Sequence, residues 1–314
     1  MRVLVIGATG AIGTRLVPQL VAAGHDVIGT SRTAEKAERL RSHGAQGVVL
    51  DVLDAQAVRN AVGAVRPDAI VYQATALADL SDFANFERSF EGTNRLRTEG
   101  ADNMLAAARD AGVRRIVAQS YAPHRYPREG GAVRSEDDPL DPHPPASMRE
   151  TWAALAYLDQ AVVDAGGIAL RYGTFYGDPA DPVAAAVRAG QLPIVGDGGG
   201  VWSFVHLEDA AAATVLALEH DGRAIYNIVD DEPATTAVWL TELAKILGAA
   251  PPQRAPVEQA RAYAGEAMVV MFTEARGASN AKAKRELGWT LRYPSWRQGF
   301  ATAYAEPEPL RGAA

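Results

Sequence analysis

The 314 residues include no cysteine. Disulfides, thiolate catalysis and cysteine-bound zinc are therefore excluded. The six histidines are scattered with no His-x-x-x-His pair, so no metal site is expected. Lysine is confined to Lys36, Lys245, Lys282 and Lys284. No apolar run reaches about 18 residues, so no membrane-spanning segment is expected. A net charge of −7 gives no electrostatic case for nucleic acid or an anionic membrane. The first strand-like run starts at residue 2, leaving no room for a signal peptide, and a soluble cytoplasmic protein is expected.

What is present begins with Arg2-Val-Leu-Val-Ile6, then Gly7-Ala-Thr-Gly10-Ala-Ile-Gly13, then a helical pattern with Leu16, Val17, Leu20 and Val21 on one face. A strand, a tight glycine turn and a helix start form a pyrophosphate cradle, in which backbone N–H groups and the helix dipole meet the anion. Gly7 lets the chain turn, Gly10 lets backbone approach phosphate, and Gly13 lets the helix pack on the strand. Gly7, Thr9, Gly10, Ala11, Ile12 and Gly13 are the expected cofactor loop.

Strand-like runs at 2–6, 26–30, 47–50, 69–73, 115–119, 168–172 and 225–229 alternate with helical runs at 11–23, 33–42, 55–64, 93–111, 147–165 and 207–219. Strongly apolar strands alternating with helices predict a parallel sheet covered on both faces, with ligands at the strands' carboxyl ends. The stretch 122–146 is rich in Pro, Gly, Arg and Asp and reads as a long loop. After residue 230 helical segments dominate, at 235–247, 256–264 and 279–287.

These signals together resemble the short-chain dehydrogenase/reductase superfamily, in its extended branch of nucleotide-sugar epimerases and dehydratases. The glycine loop, Asp51-Val52, Gln73-Ala-Thr-Ala76, Thr93-Asn94, Leu170-Arg-Tyr-Gly-Thr-Phe-Tyr-Gly177, Pro193-Ile-Val-Gly-Asp-Gly198, Phe204-Val-His-Leu-Glu-Asp-Ala210, Tyr226-Asn-Ile and Arg285-Glu-Leu-Gly-Trp289 follow its order of motifs. The resemblance implies an α/β Rossmann-type, doubly wound, seven-stranded parallel sheet with a smaller C-terminal substrate domain, often in a homodimer. It divides the chain into a dinucleotide-binding part, 1–174 with 202–229 returning to it, and a mainly substrate-binding part, 175–314. It places Asp51, Val52, Gln73, Ala74, Thr75, Asn94, Gln119, Arg171 and Tyr172 beside the cofactor.

The end of the second strand reads Gly29-Thr-Ser-Arg-Thr33. NAD-binding sites place a carboxylate there for the ribose hydroxyl. Ser31 and Arg32 suit a 2′-phosphate instead, so NADP(H) is expected over NAD(H). The plainer alternative makes Ser31 the cap of the next helix and Arg32 a solvated cation. For Asp51 it is a strand-end turn residue.

The superfamily's proton relay is a Tyr-x-x-x-Lys pair on a helix. The matching positions here hold Met148 and Trp152, and with no lysine between 37 and 244 no register slip restores the pair. At the fifth strand, Ser120 matches the first of a Ser/Thr pair and Tyr121 replaces the second. Tyr126 follows, flanked by Arg125 and Arg128, whose guanidinium groups would depress a tyrosine pKa. Tyr121, Tyr126 and Ser120 are the catalytic candidates; an aromatic loop anchor is the alternative for the tyrosines. An unassisted tyrosine titrates near 10, so using it as a base at pH 7 costs about 4 kcal/mol. Reduction is expected over alcohol oxidation.

Trp202 stands where the branch carries a diphosphate-gripping arginine, and Thr174 replaces the Asn of the Arg-x-x-Asn signature. Trp152, Thr174, Phe175 and Trp202 therefore read as an aromatic pocket for a small, uncharged carbonyl, enone or imine, unless the aromatics only fill core. The expected function is an NADP(H)-dependent reductase of such a molecule. The alternatives are a sugar-nucleotide epimerase or dehydratase with altered catalytic residues, and a non-redox enzyme or cofactor-binding regulator on the same fold.

Overall fold

The computed structural model describes residues 1–77, 86–178 and 180–304. Seven strands form one parallel sheet: β1 Arg2–Ile6, β2 Asp26–Ser31, β3 Gln46–Val49, β4 Ala69–Tyr72, β5 Arg115–Tyr121, β6 Ile168–Tyr172 and β7 Ala224–Ile228. Their spatial order is 7-6-5-4-1-2-3. The order reverses between β1 and β4, so crossover helices lie on both faces and a crevice opens at the carboxyl ends. This is the doubly wound Rossmann-type arrangement the resemblance implies, and the parallel sheet covered on both faces that the strand–helix alternation predicts.

The apolar pattern explains the layers. Side chains alternate across a strand, so Val3 and Val5 join a cluster with Leu16, Val17 and Leu20 of α1 (Gly13–Ala22) and Ala210, Ala213 and Ala217 of α8 (Leu207–Glu219). Leu4 and Ile6 join the opposite cluster with Val58 and Val62 of α3 (Ala55–Val65), Met104 of α5 (Ala101–Asp110) and Leu158 and Val162 of α6 (Arg149–Asp164). Each large aliphatic side chain so buried is worth about 1.5–3 kcal/mol. A further cluster beyond the strands' carboxyl ends gathers Met148, Trp152, Tyr176, Trp202, Phe204, Trp239 and Phe300. Ala283, Leu287 and Trp289 return to the sheet's first cluster, so the C-terminal third packs against both.

Local chemistry sets the starts. Thr33 accepts from the Lys36 amide and opens α2 (Ala34–Arg39), and Asp54 accepts from the Gln56 and Ala57 amides at α3. The helical run expected at 93–111 is instead α4 (Phe86–Arg95) and α5, joined by a π-turn at Leu96–Gly100. The segment expected at 256–264 runs on as α10 (Val257–Thr273) across a break at Gly265. Two short helices, α7 (Pro182–Arg188) and α12 (Trp296–Tyr304), are not among the helices the sequence predicts, whereas α9 (Thr236–Ile246) and α11 (Ala281–Leu287) fall within them. Within 122–146, Val133–Arg134 pairs with Gly277–Ala278 and ties the loop to the C-terminal region. No helix among the described residues is long and apolar enough to cross a membrane.

Candidate active site

The glycine loop is built as a close approach. Gly7 has φ +85°, and a Cβ there would lie 2.7 Å from the Gln73 carbonyl oxygen behind it. A Cβ on Gly13 would lie 2.4 Å from the Ala8 carbonyl oxygen. Gly10 donates to the Gly7 carbonyl and Thr14 to the Gly10 carbonyl, while the amides of Ala11, Ile12 and Gly13 have no acceptor among the described residues. Gly10 and Ala11 are exposed; Ile12 anchors the turn in the core. The cradle fits a dinucleotide pyrophosphate.

At the end of β2, the buried Ser31 hydroxyl accepts from the Thr9 hydroxyl (3.3 Å) and the Thr33 amide (3.5 Å). Thr33, not Ser31, caps α2. Arg32 is exposed and makes no ion pair among the described residues. No carboxylate occupies this strand end. Asp51 is exposed, with one oxygen accepting from the Leu53 amide, and Val52 is buried beside it. Just beyond β4, Ala74 is half-buried and Thr75 exposed, and Gln119 is half-buried near the end of β5.

Several expected contacts face inward instead. Gln73 donates to the Tyr172 hydroxyl (3.1 Å), which also pairs with Thr214 (2.7 Å), so both side chains are absorbed by the core. Asp159 of α6 holds Arg125 (3.0 Å) and Arg171 (2.9 Å) through one oxygen in a buried triad. Arg171 is tied to α6 through its Nε, and its Nη1 has no hydrogen-bond partner among the described residues. Trp202 donates its indole N–H to the Met271 carbonyl (2.8 Å) and packs on Trp239 and Phe272, so it stands in the core. Trp152 is buried against Phe86. Of the four substrate candidates Thr174 and Phe175 stay half-buried; Thr174 stands beside the Tyr121 hydroxyl, whereas Phe175 packs on Tyr172 against the first sheet cluster.

The two tyrosines part company. Tyr126 is 2% exposed, packs with Ala122, Val229 and Ala278, and its hydroxyl meets Asn227 (3.3 Å). Tyr121 ends β5 half-buried, its hydroxyl 3.4 Å from Thr174 Oγ1. The expected depression of their pKa values does not occur. Arg125 is turned to Asp159, and Arg128 pairs with Glu274 (3.2 Å). Burial raises the Tyr126 pKa and pushes that of Tyr121 up to about 12, outweighing the Thr174 hydrogen bond and the nearby Arg97 guanidinium. Tyr121 is a neutral hydroxyl. Ser120 is buried and accepts from Arg125 (3.4 Å).

Three groups escaped the sequence reading. His124 has φ +64°, a strained value for a non-glycine residue, and its ring lies between Tyr121 and Trp202. Burial lowers its pKa to about 3, so it is neutral, and neither ring nitrogen has a partner. Arg97 projects inward from the π-turn, and burial brings its guanidinium down to about 9. Glu87 accepts from the Glu150 and Thr151 amides and the Thr151 hydroxyl, which in turn accepts from Asn94 (3.1 Å). Asn94 thus ties α4 to α6. An i, i+3 step from Asn94 to Arg97 was the only available hint.

The NAD dependent epimerase/dehydratase family model matches residues 3–229. A Streptomyces protein named 3-diazoavenalumate denitrifying reductase is 43% identical over 312 residues, covering 96% of this chain and 99% of that protein. The 2-alkyl-3-oxoalkanoate reductase of Stenotrophomonas maltophilia is 28% identical, over 79% of this chain and 76% of its own. The Thermus thermophilus UDP-glucose 4-epimerase, solved with NAD, superposes with a TM-score of 0.73 at 25% identity, covering 97% of this chain and 98% of that one.

Proposed function

The chain belongs to the NAD-dependent epimerase/dehydratase family, and from that premise we propose that it is an NADP(H)-dependent reductase of a small, flat organic substrate, with Tyr121 as proton donor. One observation carries the direction of the reaction. At the end of β5 stands a tyrosine hydroxyl that burial keeps protonated, in a chain with no lysine between 37 and 244. Such a group gives up a proton to a nascent anion and serves poorly as a base.

When bound, the cofactor supplies the hydride. The amides of Ala11, Ile12 and Gly13 are placed to hold its pyrophosphate. Arg32, exposed and unpaired, and Ser31 beside Thr9 favour the 2′-phosphate, with NAD(H) as the alternative. Asp51 takes the adenine side, and Thr75, Gln119 and Thr174 line the path toward Tyr121.

The Streptomyces relative's name specifies reduction of a diazo acid with loss of nitrogen, and this makes a diazo-bearing organic acid the first substrate class to test. Loss of dinitrogen needs no side chain ionising near neutrality, in keeping with the missing lysine. A ketone, enone or imine is the second class, favoured by the Tyr121 hydroxyl, which can protonate a nascent oxygen or nitrogen. Sugar-nucleotide epimerisation begins by oxidising an alcohol and is disfavoured by the same hydroxyl.

Loss of reduced cofactor with an aryl diazo acid or an aryl ketone, and formation of the 4-epimer or an oxidised sugar from UDP-glucose in the presence of NAD+ or NADP+, tests the proposal. The diazo acid or the ketone consumes NADPH at least about tenfold more efficiently than NADH, as a charge-assisted phosphate contact requires. Turnover of UDP-glucose alone, or no NADPH consumption with either the diazo acid or the ketone, overturns it.

A further inference from the structure

The carboxyl end of β5 carries more buried positive than negative charge. Arg97, Arg125 and Arg171 are each at most 7% exposed, and the acid that pairs with two of them is Asp159. Arg125 and Arg171 share its Oδ2. Arg97 has no carboxylate within ion-pair distance among the described residues; its Nη1 donates to Asn94 Oδ1 (3.2 Å), and its guanidinium lies 5.8 Å from the Phe90 ring centre. A buried guanidinium without an anion is costly unless a ligand completes it.

The backbone makes an effort to hold it there. In the π-turn at 96–100 the Leu96 carbonyl accepts from the Ala101 amide, five residues on, and from the Tyr72 hydroxyl (2.6 Å). Gly100 admits that hydroxyl: a Cβ there would lie 2.6 Å from it. Arg97 sits in this turn, buried, with its guanidinium near enough to Tyr121 to act on that hydroxyl. π-turns of this kind recur at functional sites.

We propose that Arg97 is the substrate-anchoring cation of this site, and that the substrate carries a carboxylate, or an equally compact organic anion, which pairs with it beside Tyr121. The proposal deepens the reductase reading and rests on it for the location of the substrate. It replaces the uncharged substrate expected from Trp202, because that indole is buried in the core instead of facing the crevice. Asn94, held by Thr151, fixes the guanidinium from one side and leaves its other donors for the ligand.

The test is binding rather than turnover, so that it does not depend on hydride transfer. Cinnamate and its neutral analogue cinnamamide are titrated into the full-length protein saturated with NADP+, by calorimetry. Wild type binds cinnamate at least about tenfold more tightly than the amide, as expected for a charged hydrogen bond. Arg97→Met abolishes that preference, Arg97→Lys retains part of it, and both variants keep their affinity for NADP+. Equal binding of the two ligands by wild type, no binding of cinnamate, or an undiminished preference in Arg97→Met overturns the proposal. Parallel loss of NADP+ affinity and of both ligands in Arg97→Met and Arg97→Lys would make Arg97 a structural residue and overturn it as well. Failure of NADPH turnover with intact cinnamate discrimination would reject the reductase reading alone.

Discussion

Tyr121 and Arg32 are the residues on which chemistry and cofactor choice turn. With a pKa near 12, Tyr121 stays protonated through pH 10, so reduction of a ketone should show no tyrosine-dependent fall up to that pH. Using it as a base at pH 7 would cost about 7 kcal/mol, five units at 1.36 kcal/mol each. Tyr121→Phe is expected to lower kcat for ketone reduction by about a hundredfold or more with little change in NADPH affinity, measured by steady-state kinetics and fluorescence titration. An unchanged kcat would remove Tyr121 from the chemistry. Arg32→Ala should weaken NADPH binding by about tenfold or more and leave NADH unaffected. These two residues were legible from strand ends alone, because a hydroxyl or guanidinium at the carboxyl end of a parallel strand has few other places to point. The inward turn of Tyr126, Arg171, Tyr172 and Trp202 was not legible. Each satisfies a polar atom on a distant element (Asn227, Asp159, Thr214 and Met271), and no local pattern announces such pairings.

The elements themselves followed from periodicity wherever burial is one-sided or complete. β4 is buried at every residue, and α8 spans Leu207–Glu219 as its apolar stripe predicts. The π-turn between α4 and α5 is the informative failure. Its sequence is unremarkable for a helix, and its cause lies on β4, in the Tyr72 hydroxyl that meets Leu96. Gly100→Ala should therefore destabilise the fold by about 1–3 kcal/mol through overpacking against Tyr72. In Gly100→Ala/Tyr72→Phe, the combined loss should be smaller than the sum of the single losses, because the colliding atom is gone. Chemical denaturation of the four proteins measures the coupling, and strict additivity would deny the contact its role.

At the scale of the molecule, two buried neutral histidines tie stability to pH. Burial lowers His124 to about 3 and His206 to about 4, whereas both titrate near 6.5 when unfolded. A depressed histidine pKa means the unfolded chain binds protons that the fold refuses. Its contribution is fully present above about pH 6.5 and is lost progressively below it. At pH 5 the loss is about 2 kcal/mol for each histidine; Asp230, which burial raises to about 8, acts in the opposite sense as pH falls, so the histidine share is read in urea unfolding as the difference between wild type and a His124 variant at pH 5 and pH 8. His124→Asn, which tolerates a positive φ, should gain about 2 kcal/mol on wild type between pH 8 and pH 5; a difference between the two proteins that does not change with pH would contradict it.

The sheet order and the three clusters place the glycine loop, Arg32, Asp51 and Tyr121 along one carboxyl edge. That common edge is why the candidate cofactor residues stand out in the chain as strand ends, while Arg97, which lies on the π-turn after α4, and His124, in the loop after β5, carry no such local signal. The central claim is hydride transfer from NADP(H) to a small organic acceptor. Incubation with NADPH dideuterated at C4 and an aryl diazo acid or aryl ketone, followed by mass spectrometry of the product, tests it most directly. One deuterium in the reduced product, delivered from one face of the nicotinamide, is the predicted result. A product without deuterium, or no product from either substrate, would contradict it.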